Sequence, residues 1–149
     1  MRAVVQRVKR SSVSVDGEVI GQINAGFNVL LGVSTEDTEK DLKYIEEKIT
    51  GLRLFDDAAG IMNVSLEDRN GEILLISQFT LYGDARKGRR PSYIHAQKGT
   101  EAVVFYERLV ENLRNKGFKV ETGEFGADME VTIVNDGPVT ILLDSTKLF

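Results

Sequence analysis

The N-terminal part of the chain alternates apolar and polar residues, as β-strands do. Val13 and Val15 alternate with serines up to Asp16-Gly17, a residue pair preferred in two-residue hairpin turns. The pattern resumes after this turn as far as Ile23, and the short apolar run "FNVLLGVS" follows. Because such a run between turn residues is typical of a buried strand, we expect a β-hairpin followed by an interior strand.

A helical period replaces the alternation in "TEDTEKDLKYIEEKITG". Thr35, Asp37 or Thr38 can cap the start of this helix, and Gly51 marks its end. Apolar residues recur at helical spacing on the face opposite the Glu and Lys residues: Leu42, Ile45, Ile49 and Leu52. A second helix is predicted over "TEAVVFYERLVENLRNKG", with Gly117 at its end. Its apolar stripe comprises Ala102, Phe105, Tyr106, Leu109 and Leu113.

The remaining segments have strand character. Between the helices lie "LRLF", "GIMNVS" and "EILLISQFTLYGD", with Asn70-Gly71 as a second hairpin signal. The segments "FKVETGEF", "MEVTIVNDG" and "PVTILLDS" follow the second helix. We therefore expect one α+β domain over residues 1–149, with a curved, largely antiparallel, barrel-like sheet and two main helices.

One interruption of this pattern stands near the C-terminus. Gly137-Pro138 lies inside "IVNDGPVTILLDS", which otherwise has the pattern of one buried strand. Proline cannot donate a hydrogen bond to a β-ladder, and glycine weakens a strand through its conformational entropy. A turn between two strands is the simplest interpretation of this pair.

Composition narrows the possible chemistry. Of the 149 residues, 42% are hydrophobic and 28% charged, which are values of an ordered globular protein. The chain has no cysteine, which excludes disulfides and thiolate nucleophiles, and His95 is the single histidine. No Asp/Glu cluster has the spacing of metal ligands, so we expect no metal site. We also expect a cytosolic protein, because no apolar run reaches the length of a membrane span.

Positive charge is concentrated in one segment, although the formal net charge of the chain is −4. The segment "RKGRRPS" contains Arg86, Lys87, Arg89 and Arg90. A short basic loop on an acidic protein can hold phosphates locally while the remaining surface avoids unselective binding. The residues alone leave two interpretations open, a phosphate-binding loop and a solvated surface loop.

Polar residues also follow a buried strand pattern where apolar residues would be expected. These residues are Ser77, Gln78 and Thr80, directly after "EILLI". Buried hydroxyls and amides cost about 1–3 kcal/mol each unless they are hydrogen-bonded. The set therefore either satisfies neighbouring backbone groups or lines a pocket, and both remain open. A serine or threonine nucleophile would need an adjacent base, for which only His95 is available.

Four motifs, in this order along the chain, resemble the D-aminoacyl-tRNA deacylase family. They are "SQFTLYGD", "KGRRPSY", "TGEFGADMEV" and "NDGPVT", and the similarity extends over essentially the whole chain. The first and the last motif make a specific pair at this separation. The segment "SYIHAQKGTEAVVFYERL" matches less well, with Tyr93 in place of an expected phenylalanine and Gly99-Thr100 in place of an expected proline region. These differences concern tRNA docking more than the reaction.

The resemblance implies a homodimeric enzyme that hydrolyses the ester between a D-amino acid, or glycine, and the 3′-terminal adenosine of tRNA. It implies no metal or organic cofactor. Its cis Gly-Pro pair would project into the active site of the other subunit, and its basic loop would bind tRNA. The implied catalytic residues are Ser77, Gln78, Phe79 and Thr80, and the implied substrate-binding residues are Phe125, Met129, Gly137, Pro138, Val139 and Thr140.

This assignment suggests how one mirror image could be rejected. An enzyme that accepts many D side chains has to distinguish the substituents on Cα, and rigid main chain at Gly137-Pro138 suits that task. An L side chain would collide with this main chain, whereas glycine would not. Two alternatives remain: an editing domain like those attached to some threonyl-tRNA synthetases, and a non-catalytic dimeric RNA-binding module.

The sequence offers few residues that could act as a general base or a nucleophile, and this bears on the mechanism. In the family, Thr80 has been proposed as a nucleophile, and the competing view is that the ribose 2′-hydroxyl of the tRNA helps to activate water. Because no histidine accompanies Ser77 or Thr80 in the sequence, we favour the second view. Backbone N–H groups near Phe79 and Thr80 would then stabilise the developing oxyanion.

Overall fold

The computed structural model describes residues 1–149 and contains eight strands, three α-helices and one 3-10 helix. The strands are β1 (Arg2–Val15), β2 (Glu18–Ile23), β3 (Gly26–Gly32), β4 (Phe55–Asp56), β5 (Met62–Val64), β6 (Glu72–Ser77), β7 (Val120–Thr122) and β8 (Glu130–Asp144). The helices are α1 (Glu39–Gly51), α2 (Leu66–Arg69) and α3 (Gly99–Asn115), and the 3-10 helix is Phe79–Tyr82. None of these helices is long and apolar enough to cross a membrane.

Strand β1 is the centre of the main sheet. It pairs antiparallel with β2 and β3 along one edge and with β8 along the other. β6 and β7 extend the sheet beyond β3 with parallel pairings, while β4 and β5 form a separate small sheet. The predicted α+β fold with a curved, largely antiparallel sheet is confirmed. The two parallel pairings were not predicted, and each follows a connection that contains a helix, which is the usual route to a parallel neighbour.

The two ends of this sheet approach each other, so that it nearly closes into a barrel. A Cβ atom at Gly21 of β2 would lie 2.7 Å from the carbonyl oxygen of Thr122 in β7. Only a residue without a side chain permits this approach. The curved sheet encloses a small interior core formed by Val8, Val13, Ile23, Leu74 and Ile76.

A larger core fills the space between the sheet and the helices α1 and α3. β6 contributes to both cores, because alternate residues of a strand point to opposite faces. Ile73 and Leu75 belong to the larger core, and Leu74 and Ile76 to the interior core. The predicted apolar faces of both helices are buried here, with Leu52 and Phe105 only partly buried.

The termini of the predicted helices are largely confirmed. Of the three candidate caps, Thr38 is the N-cap of α1, and the Asp41 carboxylate accepts the Thr38 backbone N–H at 2.8 Å. Gly51 is the last residue of this helix, as predicted. α3 ends at Asn115, shortly before Gly117.

The hairpin predicted at Asn70-Gly71 is wrong. Asn70 instead ends the short helix α2 in a left-handed conformation, with φ 54°. Ser65 caps the start of α2, its hydroxyl accepting the Asp68 N–H at 3.2 Å. The following strand β6 pairs with β3 and not with β5. An Asn-Gly pair favours positive φ both in hairpin turns and after helices, so the pair alone does not distinguish the two structures.

Strand β8 continues through Gly137-Pro138, so the simplest interpretation, a turn between two strands, is also wrong. β8 pairs with β1 on both sides of this pair, with Asn135 opposite Val8 and Thr140 opposite Gln6. Residues 136–139 therefore form a bulge out of the ladder opposite one β1 residue. The Gly137-Pro138 peptide bond is cis, as the resemblance implied.

Candidate active site

A pocket of about 310 Å³ lies where β3 and β6 end. Its walls come from these strand ends, from α3 and from the loop between β7 and β8. The structure brings two of the four motifs together here, although they are distant in the sequence. Ser77, Gln78 and Phe79 come from the first motif, and Phe125 and Met129 from the third.

The first motif changes its backbone conformation at the pocket. β6 ends at Ser77, and the 3-10 helix begins at Phe79, where the sequence predicted a continuing strand. The backbone N–H groups of Phe79 and Thr80 donate no hydrogen bond within the chain. Such donors are free because the first residues of a 3-10 helix lack an acceptor three positions earlier. Two adjacent free N–H groups at a pocket can stabilise negative charge on a substrate oxygen.

Thr80 lies next to the pocket but is not among the residues that line it. Its hydroxyl accepts a hydrogen bond from the Gln78 side-chain amide. No histidine or carboxylate hydrogen-bonds to this hydroxyl, so no base within the chain is in place to deprotonate it. Thr80 thus lacks the partner that an activated nucleophile requires.

Two aromatic residues form one wall of the pocket. The Tyr106 hydroxyl donates to the carbonyl oxygen of Leu75 at 2.6 Å, and the ring centroids of Tyr106 and Phe125 are 5.8 Å apart. Burial raises the pKa of Tyr106 to about 12, so the phenol stays neutral at physiological pH. The sequence assigned Tyr106 and Ala102 to the apolar stripe of α3. In the structure, the same stripe also lines the pocket.

The mouth of the pocket carries an exposed aromatic group. Phe79 is 46% exposed, and its ring makes an edge contact with Tyr93 at a centroid distance of 5.3 Å. The Lys98 ammonium lies 5.1 Å from the centroid of the Phe79 ring. Aromatic rings and cations of this kind bind nucleobases and phosphates at the surfaces of RNA-binding proteins.

One lining residue with obvious chemistry was not singled out from the sequence. Asp128 is the only charged residue among those that line the pocket. Its carboxylate is exposed, and no Lys or Arg nitrogen lies within 4.0 Å of it. Its position inside the motif "TGEFGADMEV" was the available signal.

The fourth motif does not line this pocket. Gly137, Pro138 and Thr140 are exposed, and Val139 is partly buried. The Asn135 side chain spans the bulge, with its Oδ1 accepting the Val139 N–H at 3.0 Å and its Nδ2 donating to the Thr140 hydroxyl at 3.1 Å. Asn135 therefore holds the bulge in one shape, a role that the sequence analysis missed.

Arg7 supports the same bulge from below. Its side chain is only 10% exposed, and its Nε donates to the carbonyl oxygen of Asp136 at 3.0 Å. Its Nη1 donates to the carbonyl oxygen of Leu54 at 2.7 Å. A Cβ at Gly137, whose φ is +128°, would lie 2.8 Å from Val139 Cγ2 and 3.1 Å from Arg7 Nη2. The bulge is thus tied to the body of the protein and tightly packed at Gly137.

The basic loop, residues 85–91, projects from the protein near the mouth of the pocket. Asp84 and Ser92 pair through both backbone groups at 2.8 and 2.9 Å and close the loop next to Tyr93. The Arg86 side chain donates two hydrogen bonds to the Asp84 carboxylate and its backbone N–H donates a third, which lowers the pKa of Asp84. The remaining basic residues are exposed and form no ion pair: Lys87, Arg89 and Arg90.

Comparison with known proteins adds an independent finding. The family model described as D-Tyr-tRNA(Tyr) deacylase matches residues 4–144 of the chain. The chain is 62% identical over 149 residues to a protein of Clostridium beijerinckii named D-aminoacyl-tRNA deacylase, and the alignment covers 100% of both. A protein of Clostridium botulinum with the same name is 61% identical over 149 residues, again with 100% of both covered.

Two solved structures are similar to the whole fold. A protein named c-Myc DNA Unwinding Element Binding Protein shares 47% sequence identity and superposes with a TM-score of 0.91, over 97% of this chain and 98% of the other. A structure described as a probable eukaryotic D-amino acid tRNA deacylase has a TM-score of 0.82 over 95% of this chain and 97% of the other. Because its identity is 17%, the second comparison shows the fold alone.

Proposed function

The chain belongs to the D-Tyr-tRNA(Tyr) deacylase family, and we propose that it hydrolyses the ester of D-aminoacyl-tRNA in the pocket beside Phe79. The products are the free D-amino acid and tRNA, so the enzyme would be a carboxylic ester hydrolase. We propose that it acts in the cytoplasm and proofreads the chirality of aminoacyl-tRNA. One observation supports placing this activity in that pocket. Ser77, Gln78, Phe79, Phe125 and Met129 surround one cavity with two free N–H donors beside it.

We propose that the active enzyme is a homodimer in which each chain completes the pocket of the other. Gly137 and Pro138 stand on an exposed bulge and do not line the pocket of their own chain. Asn135 and Arg7 hold this bulge in place, although none of its residues lines the pocket of its own chain. Insertion of the bulge into the pocket of a second copy would bring the two groups of residues together.

This arrangement would distinguish D- from L-aminoacyl esters by the substituents on the Cα atom of the substrate. The main chain at Gly137 can approach a ligand closely because it has no Cβ. An L side chain would collide with it, while a D side chain would point away. Glycine has no side chain to collide, and we therefore expect glycyl-tRNA to be hydrolysed as well.

The chemistry we propose needs little from the side chains. The free N–H groups of Phe79 and Thr80 would bind the ester carbonyl oxygen and stabilise the oxyanion as water attacks. The 2′-hydroxyl of the terminal ribose would help to activate the water, because Thr80 has no base beside it. No acyl-enzyme would form on this route.

The same site would position the tRNA end. The Phe79 ring at the mouth suits stacking with the terminal adenine. Lys87, Arg89 and Arg90 have no partner within the chain and would bind acceptor-stem phosphates. Arg86 is already paired with Asp84, and we expect its contribution to be smaller.

Paired deacylation assays on D-Tyr-tRNA and L-Tyr-tRNA test this function. We expect loss of the D ester alone. Loss of both esters would contradict the proposed chiral selection, and loss of neither would favour a non-catalytic RNA-binding module. A threonyl-tRNA editing domain would instead hydrolyse a mischarged L ester, so L-Ser-tRNA(Thr) is the control substrate.

A further inference from the structure

Resting on the proposed function, we propose that Asp128 binds the α-ammonium group of the aminoacyl ester and orients the substrate. Asp128 is the single charged residue that lines the pocket. It has no cation within 4.0 Å, so its carboxylate is available to a ligand. Every D-aminoacyl ester, and glycyl ester, carries one positive group at Cα, whatever its side chain.

The loop that carries Asp128 is anchored. The Ala127 N–H donates to the carbonyl oxygen of Glu124 at 3.2 Å in a turn before Asp128. Met129 directly after it packs against the interior core. The backbone of the loop is thus fixed next to Asp128, and its carboxylate stands on the rim of a largely apolar pocket without a competing partner.

The position of Asp128 gives the ammonium group a role in selectivity. Two fixed contacts leave a substrate free to rotate about the line between them, so a third is needed to distinguish mirror images. The Phe79 and Thr80 N–H groups would hold the ester carbonyl, and Asp128 would hold the ammonium. The Gly137-Pro138 bulge of a second copy would then meet only the remaining substituents on Cα.

The test compares two substrates that differ only in the group that Asp128 is proposed to bind. D-Tyr-tRNA carries the ammonium, and its D-hydroxyacyl analogue carries a hydroxyl in the same place. Near pH 6, where the amine is protonated, Asp128→Asn should lower kcat/KM for D-Tyr-tRNA by about 10-fold or more, because hydrogen-bonded charge pairs contribute on this scale. The same variant should hydrolyse the hydroxyacyl ester at the wild-type rate.

Glu124→Gln is the matched control, since Glu124 is an exposed acid in the same loop that does not line the pocket. It should leave both rates unchanged, and Asp128→Glu should restore part of the rate on D-Tyr-tRNA. An equal loss on both esters would overturn the proposal and indicate a different role, such as a general base. Full activity of Asp128→Asn on D-Tyr-tRNA would overturn it too. If the wild-type enzyme left D-Tyr-tRNA intact, the proposed function itself would be wrong.

Discussion

The Asn135 side-chain oxygen accepts the Val139 backbone N–H at 3.0 Å and so bridges the bulge that carries Gly137-Pro138. Asn135→Ala removes this bond and the one to Thr140, each worth about 1 kcal/mol. We expect the rate on D-Tyr-tRNA to fall by about 10-fold and the melting temperature to fall by about 4–8 °C, because the two lost hydrogen bonds together contribute about 2 kcal/mol. Stopped-time deacylation assays and thermal unfolding measure the two effects. The exposed Asn24→Ala variant is the control, and a fully active Asn135→Ala enzyme would contradict the assigned role.

Gly137→Ala should abolish most D-specific activity. The φ of Gly137 is +128°, and a Cβ there would lie 2.8 Å from Val139 Cγ2, so the bulge has to change its shape. Gly51→Ala is the matched control, because a Cβ at Gly51 meets nothing within 4 Å. Deacylation of D-Tyr-tRNA by both variants checks this expectation. Wild-type activity in Gly137→Ala would show that the shape of the bulge does not matter.

Thr80→Ala should retain measurable hydrolysis of D-Tyr-tRNA. The Thr80 hydroxyl has Gln78 as a hydrogen-bond partner and no base, and the variant keeps the backbone N–H that we assign to the oxyanion. Rapid-quench kinetics and intact-protein mass spectrometry measure the rate and any covalent intermediate. An acyl adduct trapped on Thr80 in the wild-type enzyme would refute the substrate-assisted mechanism.

Substitution of Arg89 or Arg90 by Ala should weaken tRNA binding and reduce its salt dependence. Each free cation that contacts a phosphate contributes about one unit to the slope of log K against log salt. Arg86→Ala should have a smaller effect, because Arg86 already pairs with Asp84. Binding titrations at several salt concentrations measure the slope. Lys43→Ala on α1 is the control, and an equal slope in all variants would argue against phosphate contacts in this loop.

Acid should destabilise the fold partly through Asp144. Burial raises the pKa of Asp144, but hydrogen bonds from Thr146 and Arg2 outweigh this effect and lower it below its usual value. The ionised carboxylate therefore stabilises the folded state above about pH 4, and this stabilisation is lost as the pH falls through the lowered pKa. Thermal unfolding of the wild type and Asp144→Asn should differ most near neutral pH and converge on acidification. A constant difference at every pH would contradict this assignment.

The sequence predicted those elements whose causes are local. The hairpin at Asp16-Gly17 and the capped helix from Thr38 depend on neighbouring residues, and both formed as expected. The Asn70-Gly71 hairpin failed because the same local preference serves two structures. Parallel pairing of β3 with β6 depends on distant segments and left no local signal.

The same distinction applies to the candidate site. The motifs selected Ser77, Gln78, Phe79, Phe125 and Met129, which the structure brings together around one pocket. Arg7 was missed because its partners are the backbone carbonyls of Leu54 and Asp136, which lie 47 and 129 residues away in the sequence. Asp128 was missed because an acidic residue in a loop is usually a solvated surface group, and only the pocket around it makes it notable.

Subunit complementation tests most directly whether one chain completes the pocket of the other. One variant carries Gly137→Ala in the bulge, and the second carries Ala127→Phe, which fills the pocket; each homodimer should be nearly inactive on D-Tyr-tRNA. After the two are mixed and allowed to exchange subunits, each heterodimer contains one site with an intact pocket and an intact bulge. In an equal mixture, half of the dimers would be heterodimers, and each of these would have one intact site of its two. We therefore predict recovery of about one quarter of the wild-type rate. No recovery in a mixture that demonstrably contains heterodimers would contradict the account.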